Sequence, residues 1–206
     1  GIGVAIINHP ARADASNQFR IGVVGLGAGT LAAYANTHIN PEGSKDSYVT
    51  IRDVGAEDYL RFYELNPLVV EWAREHFTFL QDASDRGSDV DVFEGDARIV
   101  LERQIRQGDG QRFDVLAIDA FSSDAVPIHL LTLESIQIYL EHLNKGGILA
   151  LHVTNRYVDL IPIVARLAEA VEMEAIYIDN HSNGTRFVDS TDWILLTNNR
   201  TFLDNE

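Results

Sequence analysis

The sequence predicts an α/β fold, a single doubly wound domain over residues 1–206 built on a mainly parallel, seven-stranded sheet. Two observations carry this expectation. Short β-branched or aromatic runs alternate with amphipathic stretches along almost the whole chain. In addition, 206 residues with 46% hydrophobic and 23% charged content suffice for one well-buried core.

The elements follow in order. Residues 20–25 (RIGVVG) form a β-branched run that ends in glycine, and the alanine-rich stretch after it suits a helix to position 38. Residues 40–57 have the character of an insertion. The alternating run 59–64 (YLRFYE) is the second strand; Asn66 then caps a helix whose first position is Pro67, where a missing N–H costs nothing, and which runs to about position 77. Strand 90–93, helix 97–107 and strand 113–119 repeat the pattern. Thr132 caps a helix over 133–143, with Leu133, Ile136, Leu140 and Leu143 at three- and four-residue spacing and Gly146-Gly147 as its stop. Strand 148–153 and helix 160–171 follow. Strands 175–178 and 193–197 have no helix between them and form an antiparallel edge hairpin.

Composition excludes several functions. With 31 acidic against 16 basic side chains the chain carries a formal charge of −15, which repels phosphate backbones, so nucleic acid is not an expected partner. The same charge serves solubility or favours a cationic substrate. The absence of cysteine rules out disulfides and thiolate chemistry. The seven histidines show no metal-ligand spacing, and no metal is expected. No apolar run approaches the roughly 20 residues of a membrane helix and no leader opens the chain, so a cytoplasmic protein without a membrane partner is expected. The opening Gly1 in place of methionine fits an excised domain, with any membrane-spanning or further domain lying upstream.

In a parallel sheet of this kind the ligand crevice lies at the carboxyl ends of the strands. Gly25, Gly27 and Gly29 follow the first strand, where backbone free of side chains approaches a ligand closely. Thr30 stands where a dinucleotide fingerprint needs its third glycine, which disfavours NAD. Glu64, ending the second strand, can accept hydrogen bonds from both hydroxyls of a ribose. Asp96, followed by Ala97, either accepts from an adenine amino group or caps the next helix. Asp119 and Asp124 place two carboxylates after the fourth strand. His129, His152 and Tyr157 also stand near strand ends.

Taken together, VGLGAGT (24–30), YELNP (63–67), GDAR (95–98), IDAFSSDAVP (118–127) and the later GG-x-LA-x-H-x-x-NRY run resemble the spermidine synthases, most closely their bacterial spermidine synthase-like relatives. The resemblance covers residues 20–197. It implies a Rossmann-like fold of the S-adenosylmethionine-dependent methyltransferase type. It also implies a transferase that moves an aminopropyl group from decarboxylated S-adenosylmethionine to a di- or polyamine and releases methylthioadenosine, with no prosthetic group. On this resemblance Gly25, Gly27, Gly29 and Ala97 help bind the nucleoside, Glu64 holds the ribose, Asp96 the adenine amino group, Asp119 activates the attacking amine, and Asp124 binds an ammonium. A homodimer is the family expectation.

Three features depart from the family pattern. Ala28 replaces the aspartate that grips the donor's amine. Asp119 and Asp124 are five positions apart, where the family has Asp-x-x-Asp before a proline. The family's amino-terminal β-rich domain is absent or reduced to a remnant over 1–18. The alternative readings are a small-molecule methyltransferase using S-adenosylmethionine and a non-catalytic nucleoside-binding domain.

Overall fold

The computed structural model describes residues 1–14, 16–39, 49–51, 57–121, 126–155, 158–181 and 190–204. Strands β1 (Arg20–Val24), β4 (Tyr59–Glu64), β5 (Asp89–Glu94), β6 (Phe113–Ile118), β7 (Leu143–His152), β8 (Glu174–Asn180) and β9 (Thr191–Thr197) form one seven-stranded sheet. The spatial order is β5-β4-β1-β6-β7-β9-β8. Strand β1 pairs in parallel with both β4 and β6, β6 with β7, and β4 with β5, whereas β9 runs antiparallel to β7 and to β8. The final hairpin is therefore at the edge as expected, with β8 outermost. A separate two-stranded ribbon pairs β2 (Thr37–Ile39) with β3 (Val49–Ile51).

Helices cover both faces because side chains alternate along each strand. Val115 and Ala117 of β6, with Ile148 and Ala150 of β7, join the core under α1 (Gly3–Ile7), α2 (Pro67–His76), α3 (Phe79–Asp85) and α7 (Arg200–Leu203). Leu116, Ile118, Leu149 and Leu151 face the other core, under α4 (Ala97–Arg106), α5 (Leu133–Glu141) and α6 (Ile161–Ala170). The caps read from the sequence form: Asn66 Oδ1 accepts the Leu68 N–H at 3.0 Å, and the Thr132 hydroxyl accepts the Ser135 N–H at 3.2 Å.

Four local expectations are corrected. The alanine-rich stretch is a 3-10 turn over Thr30–Tyr34 that ends before β2, not a helix to position 38. Asn36 stops it at φ 52°: its N–H donates to Asp58 Oδ2, its side-chain amide donates to the Arg86 carbonyl, and its side-chain oxygen accepts the Asp58 N–H. The insertion contains β3. Helix α3 was not anticipated, being short and lacking a side-chain cap. Gly146-Gly147 lie inside β7, at a register shift against β6, and do not stop α5. That helix ends at Glu141 because the buried His142 ring is held by the Gln111 N–H on one nitrogen and the Leu101 carbonyl on the other.

The amino-terminal segment forms a short helix, α1, and a 3-10 turn. Ile2, Ala5 and Ile6, in and beside α1, are buried in the first core. After the 3-10 turn Pro10–Ala13, Arg12 donates from Nε to the Ile6 carbonyl at 2.6 Å and from Nη2 to Asp58 Oδ2 at 2.9 Å, with its guanidinium 4.2 Å from the Phe19 ring centroid. Among the described residues, no helix is long and apolar enough to cross a membrane.

Candidate nucleoside site

The strand order reverses between β1 and β6, and a cavity of about 620 Å³ opens at the carboxyl ends of these strands. Its size suits a nucleoside-like ligand. Gly25, Gly27, Glu64, Asp96, Ala97 and Asp119 all line it. Gly29 does not: a Cβ there would meet Leu80 of α3 at 3.2 Å, so its lack of a side chain serves helix packing. Asp124 and Tyr157 lie outside the described residues.

Backbone N–H groups hold the Glu64 and Asp96 carboxylates, and a histidine side chain meets that of Asp119. Glu64 Oε2 accepts the Leu26 N–H at 3.0 Å and Oε1 the Asn66 N–H at 2.9 Å, which ties the glycine loop to the end of β4. Each oxygen keeps a further lone pair for a ligand hydroxyl. Of the two alternatives read for it, Asp96 takes the helix cap, with Oδ1 accepting the Ile99 N–H at 3.1 Å; Oδ2 lies 3.5 Å from His129 Nε2. Asp119 follows β6, its N–H donating to the Val24 carbonyl at 2.9 Å, and its Oδ1 lies 2.6 Å from His152 Nδ1.

The backbone of the two central strands is crowded here. A Cβ on Gly25, which has φ +99°, would fall 2.4 Å from the Asp119 carbonyl oxygen, so only glycine fits. Tyr63 also lines the cavity and donates to Gln104 Oε1 at 3.2 Å; burial pushes its phenol well above the ordinary value, so it stays a donor. Leu65 and Phe121 supply apolar lining while remaining exposed.

Two carboxylates facing the cavity therefore acquire imidazole partners that spacing did not assign. His152 stands last in β7, and the parallel register of Ile118 with Leu151 sets it beside Asp119. Its presence near a strand end was legible; its pairing depends on which strands are neighbours. The described lining contains three carboxylates and two imidazoles but no lysine or arginine. Among the described residues, no three His, Asp, Glu or Cys side chains converge as metal ligands.

No protein-family model matches the chain. Over 130 residues it is 26% identical to a polyamine aminopropyltransferase of Vibrio vulnificus, a match covering 63% of this chain and 36% of that protein. The chain thus spans about a third of the length of this curated relative. The spermidine synthase of Thermotoga maritima superposes with a TM-score of 0.57 at 15% identity, over 94% of this chain and 56% of that one. Human methyltransferase-like protein 13, solved in complex with SAH, superposes with a TM-score of 0.64 at 19% identity, over 95% and 78% of the two chains. At such identities the solved structures establish the fold, which is common to both groups. In sequence the chain is similar to a polyamine aminopropyltransferase.

Proposed function

We propose that this doubly wound, Rossmann-like chain is an aminopropyltransferase that moves an aminopropyl group from decarboxylated S-adenosylmethionine to a di- or polyamine. The observation that carries the reading is the cavity at the strand-order reversal, where the glycine loop, Glu64 and Asp119 converge and the described lining holds carboxylates without a lysine or arginine. Such a lining favours cationic ligands and offers a donor's carboxylate no described lysine or arginine. It therefore supports the decarboxylated donor over S-adenosylmethionine.

In this reading Gly25 and Gly27 let the loop pass close to the nucleoside. Glu64 accepts from the ribose hydroxyls, Asp96 Oδ2 accepts from the adenine amino group, and Ala97 lies beside it. An alkylammonium has no lone pair at neutral pH until a base removes a proton. Asp119 takes that proton and becomes a neutral carboxylic acid. The freed lone pair forms the new C–N bond as the C–S bond breaks, its electrons return to sulfur, and methylthioadenosine leaves as a neutral thioether. The chain's contribution is chiefly alignment of the amine with the departing sulfur. Asp124 binds an ammonium of the acceptor, and a homodimer is the proposed assembly.

Calorimetric titration with decarboxylated S-adenosylmethionine and with S-adenosylmethionine, followed by assay of methylthioadenosine release across an amine panel, tests this. Preference for the decarboxylated donor and amine-dependent release are expected. Replacing Asp119 with Asn is expected to lower turnover about 10²- to 10⁴-fold while leaving donor affinity unchanged. Preference for S-adenosylmethionine, with S-adenosylhomocysteine as product, would establish the methyltransferase alternative. Tight nucleoside binding without product in either assay would establish a binding domain.

A further inference from the structure

Asp119 has two carboxylate oxygens, and the described hydrogen bonds engage one of them, Oδ1, at 2.6 Å from His152 Nδ1. The other ring nitrogen, Nε2, lies 2.9 Å from Thr154 Oγ1, which also accepts the Asp192 N–H at 2.7 Å. The ring itself is confined. It stacks on Trp193, its cross-strand partner on β9, with centroids 4.5 Å apart and planes 10° apart, and the Phe121 ring meets it edge-on at 4.8 Å.

Proton directions follow from these contacts. An ionised carboxylate only accepts, so the short contact to Asp119 requires the proton on Nδ1. A neutral imidazole then has a lone pair on Nε2, and the Thr154 hydroxyl is placed to donate to it while its oxygen receives the Asp192 N–H. One tautomer therefore satisfies every group in the row from Asp192 through Thr154 and His152 to Asp119. Without such partners a neutral histidine carries its proton mainly on Nε2, and that tautomer would turn two lone pairs toward each other at 2.6 Å.

We propose that His152 is a positioning residue for Asp119. Its Nδ1–H holds Oδ1 so that Oδ2 alone is presented to the acceptor amine, and Thr154 sets the tautomer that makes this hold. The inference rests on the reading of Asp119 as the proton acceptor. Partners of this kind fix the orientation of a reactive group, and their loss costs about 10- to 100-fold in metal sites where the effect has been measured. A carboxylate free to rotate would spend part of its time with neither oxygen aimed at the amine.

The test has two parts, both on the full chain. Side-chain ¹⁵N NMR above the pH of imidazole titration reads the tautomer directly. The Nδ1–H form of His152 is expected in the wild type, with reversion toward Nε2–H in Asp119→Ala; an Nε2–H wild type overturns the proposal. Turnover then separates orientation from packing. His152→Phe keeps a ring on Trp193 and loses the N–H, whereas His152→Asn keeps an amide N–H near the Nδ1 position and loses the ring. Positioning predicts about a 10- to 100-fold lower kcat for His152→Phe with unchanged donor KM, and substantial recovery in His152→Asn. The reverse order would assign His152 to packing and overturn the proposal. If the wild type releases no methylthioadenosine with any amine, the aminopropyl reading fails while the tautomer still decides whether His152 holds Asp119.

Discussion

Glu64 illustrates how much one side chain carries. It ends β4, accepts the Leu26 and Asn66 N–H groups on separate oxygens, and lines the cavity. Glu64→Gln keeps size and shape but turns an NH₂ toward one of those two donors and removes one acceptor. Nucleoside affinity is expected to fall about 10- to 100-fold, as for loss of a charged hydrogen bond worth roughly 1.5–3 kcal/mol, in the calorimetric titration. An unchanged Kd would remove Glu64 from the binding site. Glu64, Asp96 and Asp119 were legible in the sequence because each is a carboxylate at or within a few residues of the carboxyl end of a strand-like run. His152 was legible only as a residue near the cavity, since its link to Asp119 joins positions 33 apart through neighbouring strands.

At the scale of elements, the loop between β1 and the 3-10 turn is where local sequence and tertiary crowding meet. Gly25 and Gly27 both have positive φ, but a Cβ on Gly25 would strike the Asp119 carbonyl at 2.4 Å, whereas one on Gly27 meets nothing within 4 Å. Gly27→Ala is expected to cost about 1–2 kcal/mol, the penalty of left-handed backbone for an L-residue. Gly25→Ala adds displacement of a central-strand backbone and is expected to cost about 2–5 kcal/mol. Urea unfolding of both variants measures the difference; equal costs would refute the crowding argument. The same comparison explains the misread helix after this loop. Alanine content favoured helix, but Asn36 spends its backbone N–H and its side-chain amide on Asp58 and Arg86, and those long-range bonds override local propensity.

For the whole molecule, two buried histidines couple stability to pH. His142 receives the Gln111 N–H on Nδ1 and faces the Leu101 carbonyl with Nε2; His9 receives the Ala11 N–H on Nδ1 and faces the Gly146 carbonyl. Both are therefore neutral with the proton on Nε2, and burial, the largest cause in each, holds them below the ordinary 6.5. A depressed folded value means that the unfolded chain binds protons first as pH falls, so the stabilisation is complete above about 6.5 and is lost as pH drops through the folded values. The stability gap between wild type and His142→Asn, from urea midpoints, is accordingly expected to narrow between pH 8 and pH 5; a constant gap would exclude His142 from the linkage. Comparison with a variant cancels the general effect of neutralising a chain of charge −15.

The same scale separates what sequence and tertiary structure each determined. By itself the sequence determined the alternation of strands and helices, the edge hairpin, the caps at Asn66 and Thr132 and the carboxylates after the strands. All of these are written in local periodicity and in residues whose chemistry acts within a few positions. Tertiary structure alone decided the strand order that places Gly25 against Asp119, the β2–β3 ribbon, the helical amino-terminal segment bolted by Arg12 to Asp58, and the pairing of His152 with Asp119. Each of these depends on which distant segments share a core or a sheet edge, and loop closure and packing of the whole chain select that arrangement.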